Sequence, residues 1–118
     1  MFFTPSQLSF FLYRHPTDMR KSFDGLTALV VNFIDKDPFS GDVFIFINKR
    51  RDRIKLLLWD TDGFWIFYKR LEKGTFQVPV IGLRDDTLEL SYDQLLMILK
   101  GFDLSSIKKR PRYKRAIC

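Results

Sequence analysis

Cysteine occurs once in this chain, at Cys118, and histidine once, at His15. A lone thiol cannot close an intramolecular disulfide, so a reducing compartment is expected. One His and one Cys also fall short of the ligand set of a zinc site, and no metal or other cofactor is expected. Apolar runs are short, and none approaches the roughly 18–20 residues needed to span a bilayer. Met1-Phe2-Phe3-Thr4-Pro5 lacks the basic start and small-residue cleavage site of a signal peptide. A cytoplasmic protein with no membrane partner is the expectation. Internal repeats are absent, as is any Pro/Gly/Ser linker before residue 105.

What the chain does have is apolar and aromatic mass. Its 118 residues are 46% hydrophobic and 16% aromatic, too rich in core-forming side chains for a disordered chain. One domain of that length buries a core without disulfides. The expected division is a single α+β domain over 1–104 and a flexible basic tail over 105–118. The formal charge is +6, and its placement says more than its sum. The tail holds Lys108, Lys109, Arg110, Arg112, Lys114 and Arg115 with no acid, so residues 1–104 are neutral, with 14 charges of each sign. Within them, Lys49 to Lys55 sets five bases against one acid. Two concentrated cationic segments on an otherwise acidic body favour a polyanionic partner.

The expected elements follow from periodicity. Leu8–Arg14 reads as a short strand, broken at His15-Pro16-Thr17. A helix follows, with Thr17 as N-cap and Met19, Phe23, Leu26, Val30 and Phe33 as its apolar stripe. Gly25 inside it disfavours the helix by about 1 kcal/mol relative to Ala, so something should pack closely there. Asp37–Gly41 is a turn. Four strand-like runs come next, Val43–Asn48, Arg53–Trp59, Phe64–Arg70 and Thr75–Val80, joined by four-residue connections. The hairpin register puts Val43, Ile45, Ile47, Ile54, Leu56, Leu58, Trp65, Phe67, Phe76 and Val78 on one core face. The other face mixes Phe44, Phe46, Trp59, Phe64 and Ile66 with Arg53, Lys55, Tyr68 and Arg70. Either a helix covers its apolar part or a protein partner does. Ser91-Tyr92-Asp93-Gln94 is a capping box for a last helix, with Leu90 and Leu95 as the staple and Gly101 as the stop. The expected architecture is α+β, a four-stranded antiparallel β-meander with one helix before it and one after.

These residues also carry a family resemblance. "YRHPTDMRKSFDGL" (13–26), "DPFSGDVFIFINKRRDRIKLLLWDTDGFWIFYKRLEKGTF" (37–76) and "LSYDQLLMILKGFD" (90–103) resemble the TnpB, or second-ORF-like, accessory proteins of insertion-sequence 66 transposons. The likeness runs in order over about residues 8–103. Where that family has a Trp after the G-x-D of the last helix, this chain has Leu104. The resemblance implies a part in transposition beside a separate transposase of the DDE type, with no catalytic residues of its own.

Several constellations could carry function. Lys49, Arg50 and Arg51 form a cationic tip, with Arg53 and Lys55 on the next strand and Tyr68 and Arg70 across from them. A strand ribbon can enter a DNA groove, and guanidinium groups pair with phosphate; the other reading is a solvated turn that keeps strand ends from aggregating. The tail, with Tyr113 among its cations, suits an arm that follows phosphates, or else simply aids solubility. Arg20 and Lys21 fall in the expected opening turn of the first helix, where a phosphate could bind; alternatively Asp18 and Asp24 neutralise them. Asp60, Asp62, Asp85, Asp86 and Glu89 are the candidate nuclease ligands, but their turn and loop placement argues against catalysis. His15, before Pro16, reads as a loop residue. The expected function is a non-catalytic DNA-binding accessory protein that assists a transposase. The alternative is a protein–protein adaptor that docks to the transposase without direct DNA binding.

Overall fold

In the computed structural model, residues 8–78 and 85–101 are described. The core is a five-stranded mixed sheet with a helix on each face. Its strands are β1 (Phe10–Tyr13), β2 (Val43–Ile47), β3 (Arg53–Asp60), β4 (Gly63–Arg70) and β5 (Thr87–Leu90), in the spatial order β4-β3-β2-β1-β5. Helix α1 (Phe23–Leu29), which continues as a π-helical turn over Val30–Ile34, lies between β1 and β2 in sequence. Helix α2 (Tyr92–Lys100) follows β5 directly. No helix among the described residues is long and apolar enough to cross a membrane.

The β2–β3–β4 meander has the expected register. Val43 faces Leu58, Ile45 faces Leu56 and Ile47 faces Ile54; Leu58 in turn faces Trp65, and Leu56 faces Phe67. β2 reads VFIFI and is buried at all five positions, because both faces of the sheet are covered there. One face packs Phe10, Leu12, Val43, Ile45, Ile47, Ile54 and Leu58 against Leu95 and Ile98 of α2. The opposite face packs Phe11, Phe44, Phe46 and Leu57 against Leu26, Val30 and Ile34, which recur every fourth residue along α1 and its π-helical turn. A helix therefore covers the apolar part of the mixed face.

The expected four-stranded antiparallel meander is corrected in two places. β1 is not a detached run: it pairs in parallel with β2, Phe10 opposite Val43, and antiparallel with β5, Phe10 opposite Leu90. Thr75–Val80 does not add a strand beside β4. Over 75–78 the backbone is not in the sheet, and residues 79 and 80 lie outside the described residues. The physical reason is that the Phe76 N–H donates to the Arg51 carbonyl at 2.6 Å, which pulls the segment across the face of the sheet. Phe76 still enters the core on the face its alternation implied. Pro79 just beyond would in any case remove a ladder donor.

Helix α1 starts at Phe23, later than expected, with Ser22 before it. Thr17 is not its cap. Asp18 instead closes a turn: its carboxylate accepts from the Arg20 amide at 2.9 Å, and its carbonyl accepts from the Lys21 amide at 3.0 Å. An acidic side chain that satisfies nearby amides in this way competes with the helix. Gly25 has the close neighbour its position called for, since an added Cβ would lie 3.1 Å from Lys21 Cβ. The Ser91–Gln94 capping box is formed in both directions, at 3.1 and 2.8 Å, and Gly101 ends α2 in the left-handed region at φ 87°.

Candidate nucleic-acid interface

The loop between β2 and β3 is built by Asn48. Its side-chain carbonyl accepts from the amides of Asp52 and Arg53, both at 3.0 Å, and its amide group donates to Asp52 Oδ1 at 2.7 Å. Arg51 completes the turn with φ 60°. Asp52 is thereby occupied by Asn48. Lys49, Arg50 and Arg51 are exposed, and none is in an ion pair among the described residues. The tip is also braced from behind. Leu71 and Phe76 donate their amides to the carbonyls of Asp52 and Arg51, at 2.7 and 2.6 Å, while both side chains are buried in the core. The tip is held out by backbone bonds that leave its charged ends free.

The flanking strand residues divide into two groups. Arg53 faces Arg70 directly across β3 and β4, an arrangement of like charges that is unfavourable unless each is compensated. Arg70 is compensated by Glu72, with its Nε 2.9 Å from Oε1, and Arg53 donates to the Tyr68 hydroxyl at 3.1 Å. Lys55, expected among the DNA contacts, forms the second group and is buried. It is 7% exposed, its Nζ donates to the carbonyls of Met19 and Lys21 at 2.8 and 2.7 Å, and it lies 4.7 Å from the centroid of the Tyr68 ring. Two of the three donors of its ammonium group are taken by backbone carbonyls, and the charge lies against an aromatic ring. Lys55 fastens the segment before α1 to the sheet.

At Arg20 and Lys21, the possible phosphate site, Arg20 takes the alternative pairing with Asp18. Both precede α1, and the backbone there turns carbonyls, not amides, toward a neighbouring cation. Arg20 is engaged by Asp18 through Nε and Nη2, the latter at 2.6 Å from Oδ2. The Arg20 side-chain hydrogen bonds, followed by its backbone bond, hold the Asp18 carboxyl down at about 2. Its folded value lies below the ordinary 3.8, so whatever the pairing adds to stability is present above that value and lost as the pH falls toward 2. Arg20→Ala should therefore return the Asp18 midpoint toward 3.8, measured from the pH dependence of its carboxyl carbon shift. An unchanged midpoint would mean that the pair does not persist in solution.

Two open clefts flank the tip. One, of about 480 Å³, runs between Asn48–Arg53 and the Pro16–Met19 turn; the other, of about 260 Å³, is bordered by Arg14, His15, Lys49 and Arg51. His15 lies outside the sheet as expected, with Nε2 2.5 Å from Asp86 Oδ1. Asp60 accepts from Trp65 Nε1 at 3.2 Å in the β3–β4 turn. Among the described residues, no group of three His, Cys, Asp or Glu side chains is placed to hold a metal ion. Lys108, Lys109, Arg110, Arg112, Lys114 and Arg115, and the expected domain boundary after 104, lie outside the described residues.

Sequence reasoning overlooked Asn48 and Glu72. Asn at the first position of a turn is a local signal that could have been read; Glu72, two residues beyond Arg70, could not be distinguished from an ordinary surface acid.

The family described as IS66 Orf2 like protein matches residues 8–109. The chain is similar to two proteins of Sinorhizobium fredii. It is 35% identical to the uncharacterized protein y4jC, over 81% of this chain and 80% of that one. It is 31% identical to the uncharacterized protein y4hO, over 74% of each. No solved structure matches. With its whole described sheet and both helices inside the matched span, the chain belongs to the IS66 Orf2-like family.

Proposed function

We propose that this protein is a non-catalytic, cytoplasmic accessory factor of insertion-sequence transposition that binds DNA through its cationic tip and so helps a separate transposase engage the element. The family supports the coarser part of this reading, an accessory role in transposition. The DNA contact rests mainly on one observation: Asp52, the tip's own carboxylate, is spent on Asn48, while Lys49, Arg50 and Arg51 remain exposed. A braced loop needs little backbone ordering when phosphates engage its cations, so the remaining cost is the rotamer freedom of the side chains themselves. Arg53, Tyr68 and Arg70 extend the contact along the strand ends, and the cations of residues 108–115 add further phosphate contacts.

The test is a salt titration of duplex binding by fluorescence anisotropy, with element-end and unrelated DNA. Affinity should fall steeply with salt. In Arg50→Glu/Arg51→Glu the log–log slope should drop by about 0.9 for each phosphate that is no longer neutralised. Unchanged affinity and slope in that variant would remove the tip from the interface.

The adaptor reading has its own support in the exposed Val31, Phe33 and Phe39 on the α1 side of the molecule. It would be selected by co-purification with the transposase from nuclease-treated lysate in the absence of any DNA affinity.

A further inference from the structure

Of the two terminal strands, β4 and the four-residue β5, the long β4 edge is the strongest remaining feature, and it does not depend on the DNA reading. β4 is a terminal strand in the order β4-β3-β2-β1-β5, and among the described residues nothing pairs with its outer side. It is eight residues long, and from Gly63 to Tyr68 it carries neither charge nor proline. Natural edge strands are usually shortened, charged or covered to prevent pairing. This one is not. Trp65 and Phe67 stack on each other with centroids 6.2 Å apart and are 46% and 43% exposed. Beside them runs an open apolar groove of about 450 Å³, bordered by Leu56, Phe67, Leu96 and Leu99.

The charges at the two ends of β4 identify what fits. Asp62 stands in the turn just before it, and Lys69 and Arg70, the latter paired with Glu72, stand at its end. An antiparallel copy centred on Ile66 brings Asp62 opposite Arg70 at each end, while Lys69 falls opposite Gly63 and Asp60 opposite Glu72. Centring a two-fold axis on Ile66 sets Trp65 opposite Phe67 of the second copy and Arg70 opposite Asp62 of the second copy. The symmetry repeats both pairs. The stacked aromatics and the apolar groove lie on one face of that junction, so the second copy would cover them.

We infer that this protein forms a two-fold dimer through antiparallel pairing of β4 with β4 of a second copy, joining two five-stranded sheets into one. The interface is self-complementary in backbone, in aromatic contact and in charge.

The experiment is sedimentation velocity on the full chain across a wide concentration range, with folding of each variant checked by circular dichroism. The unaltered chain should sediment as a dimer of the 14.1 kDa protomer. Asp62→Arg and Arg70→Asp should each raise the dissociation constant by about tenfold, since each sets like charges opposite one another at both ends. The double variant Asp62→Arg/Arg70→Asp should recover most of that loss. Phe67→Lys tests the aromatic contact, and because the charge reversals sit at exposed positions, the result stands even if Phe67→Lys fails to fold. A chain that stays at protomer mass throughout overturns the inference. So does a dimer that Asp62→Arg leaves unchanged, because another surface would then hold the copies together.

Discussion

Replacing Phe76 with alanine should destabilise the protein by about 3–5 kcal/mol, the usual range for truncating a fully buried phenylalanine. Against a typical total of about 5–15 kcal/mol, that is a large fraction of the stability. Phe76 is completely buried among Leu71, Ile47, Ile54 and the other residues of the α2-side core, yet it lies outside any strand. Its N–H is bonded to Arg51 at the tip. The loss should appear in urea denaturation as a lower midpoint with an unchanged slope. A second consequence separates this residue from other core positions. Once the side chain no longer anchors the backbone at 76, amide exchange around Arg51 and Asp52 should accelerate more than exchange in β1, at the interior of the sheet. A destabilisation below about 1 kcal/mol would mean that the segment after β4 is not seated on the core as described.

Lys55→Met should be the second largest effect, about 2–3 kcal/mol, because hydrogen bonds from a charged donor are worth about 1.5–3 kcal/mol each and part of that is returned when the charge no longer has to be desolvated. Methionine fills the space of the aliphatic stem but leaves the carbonyls of Met19 and Lys21 without their donor. For a chain of this size the melting temperature should fall by about 10 °C. The salt dependence of DNA binding should stay as it is, because the ammonium group faces the protein interior. The reverse outcome, an unchanged melting temperature with a shallower salt slope, would return Lys55 to the interface.

Those two residues also mark where sequence reading succeeds and fails. The register of β2, β3 and β4 was legible because their alternation is clean and their loops are short, so each local choice of face agrees with its neighbour. The capping box at Ser91 was legible for the same reason: its partners lie three residues apart. At Phe76 the alternation gave the correct face, but the backbone bond that removes it from the sheet goes to Arg51, 25 positions back. Lys55 sits among cations at an alternating strand position and has every mark of a surface base. Its acceptors lie 34 and 36 residues away, and nothing in the local sequence announces them. The β1–β2 pairing is hidden in a similar way, since a parallel pair needs a crossover and no turn motif records which strands it joins. The helix start is misread at Asp18 because its preference for nearby amides outweighs the apolar spacing that follows it. The cationic tip itself can be read directly, but the Asn48 bonds that hold Asp52 within the turn, outside any ion pair with the tip, can be seen only in three dimensions.

The interior position of β1 has a consequence for how the chain is made. Phe10-Phe11-Leu12-Tyr13 emerges from the ribosome ahead of the other strands, yet the strand that shields its far side, Thr87–Leu90, emerges after all of them. Between the synthesis of β4 and that of β5 the growing polypeptide holds an oily ladder open beside β1. The final strand thus acts as a closing latch, and a chain truncated before it would exchange the short β5 border for the fully buried, apolar one of β1.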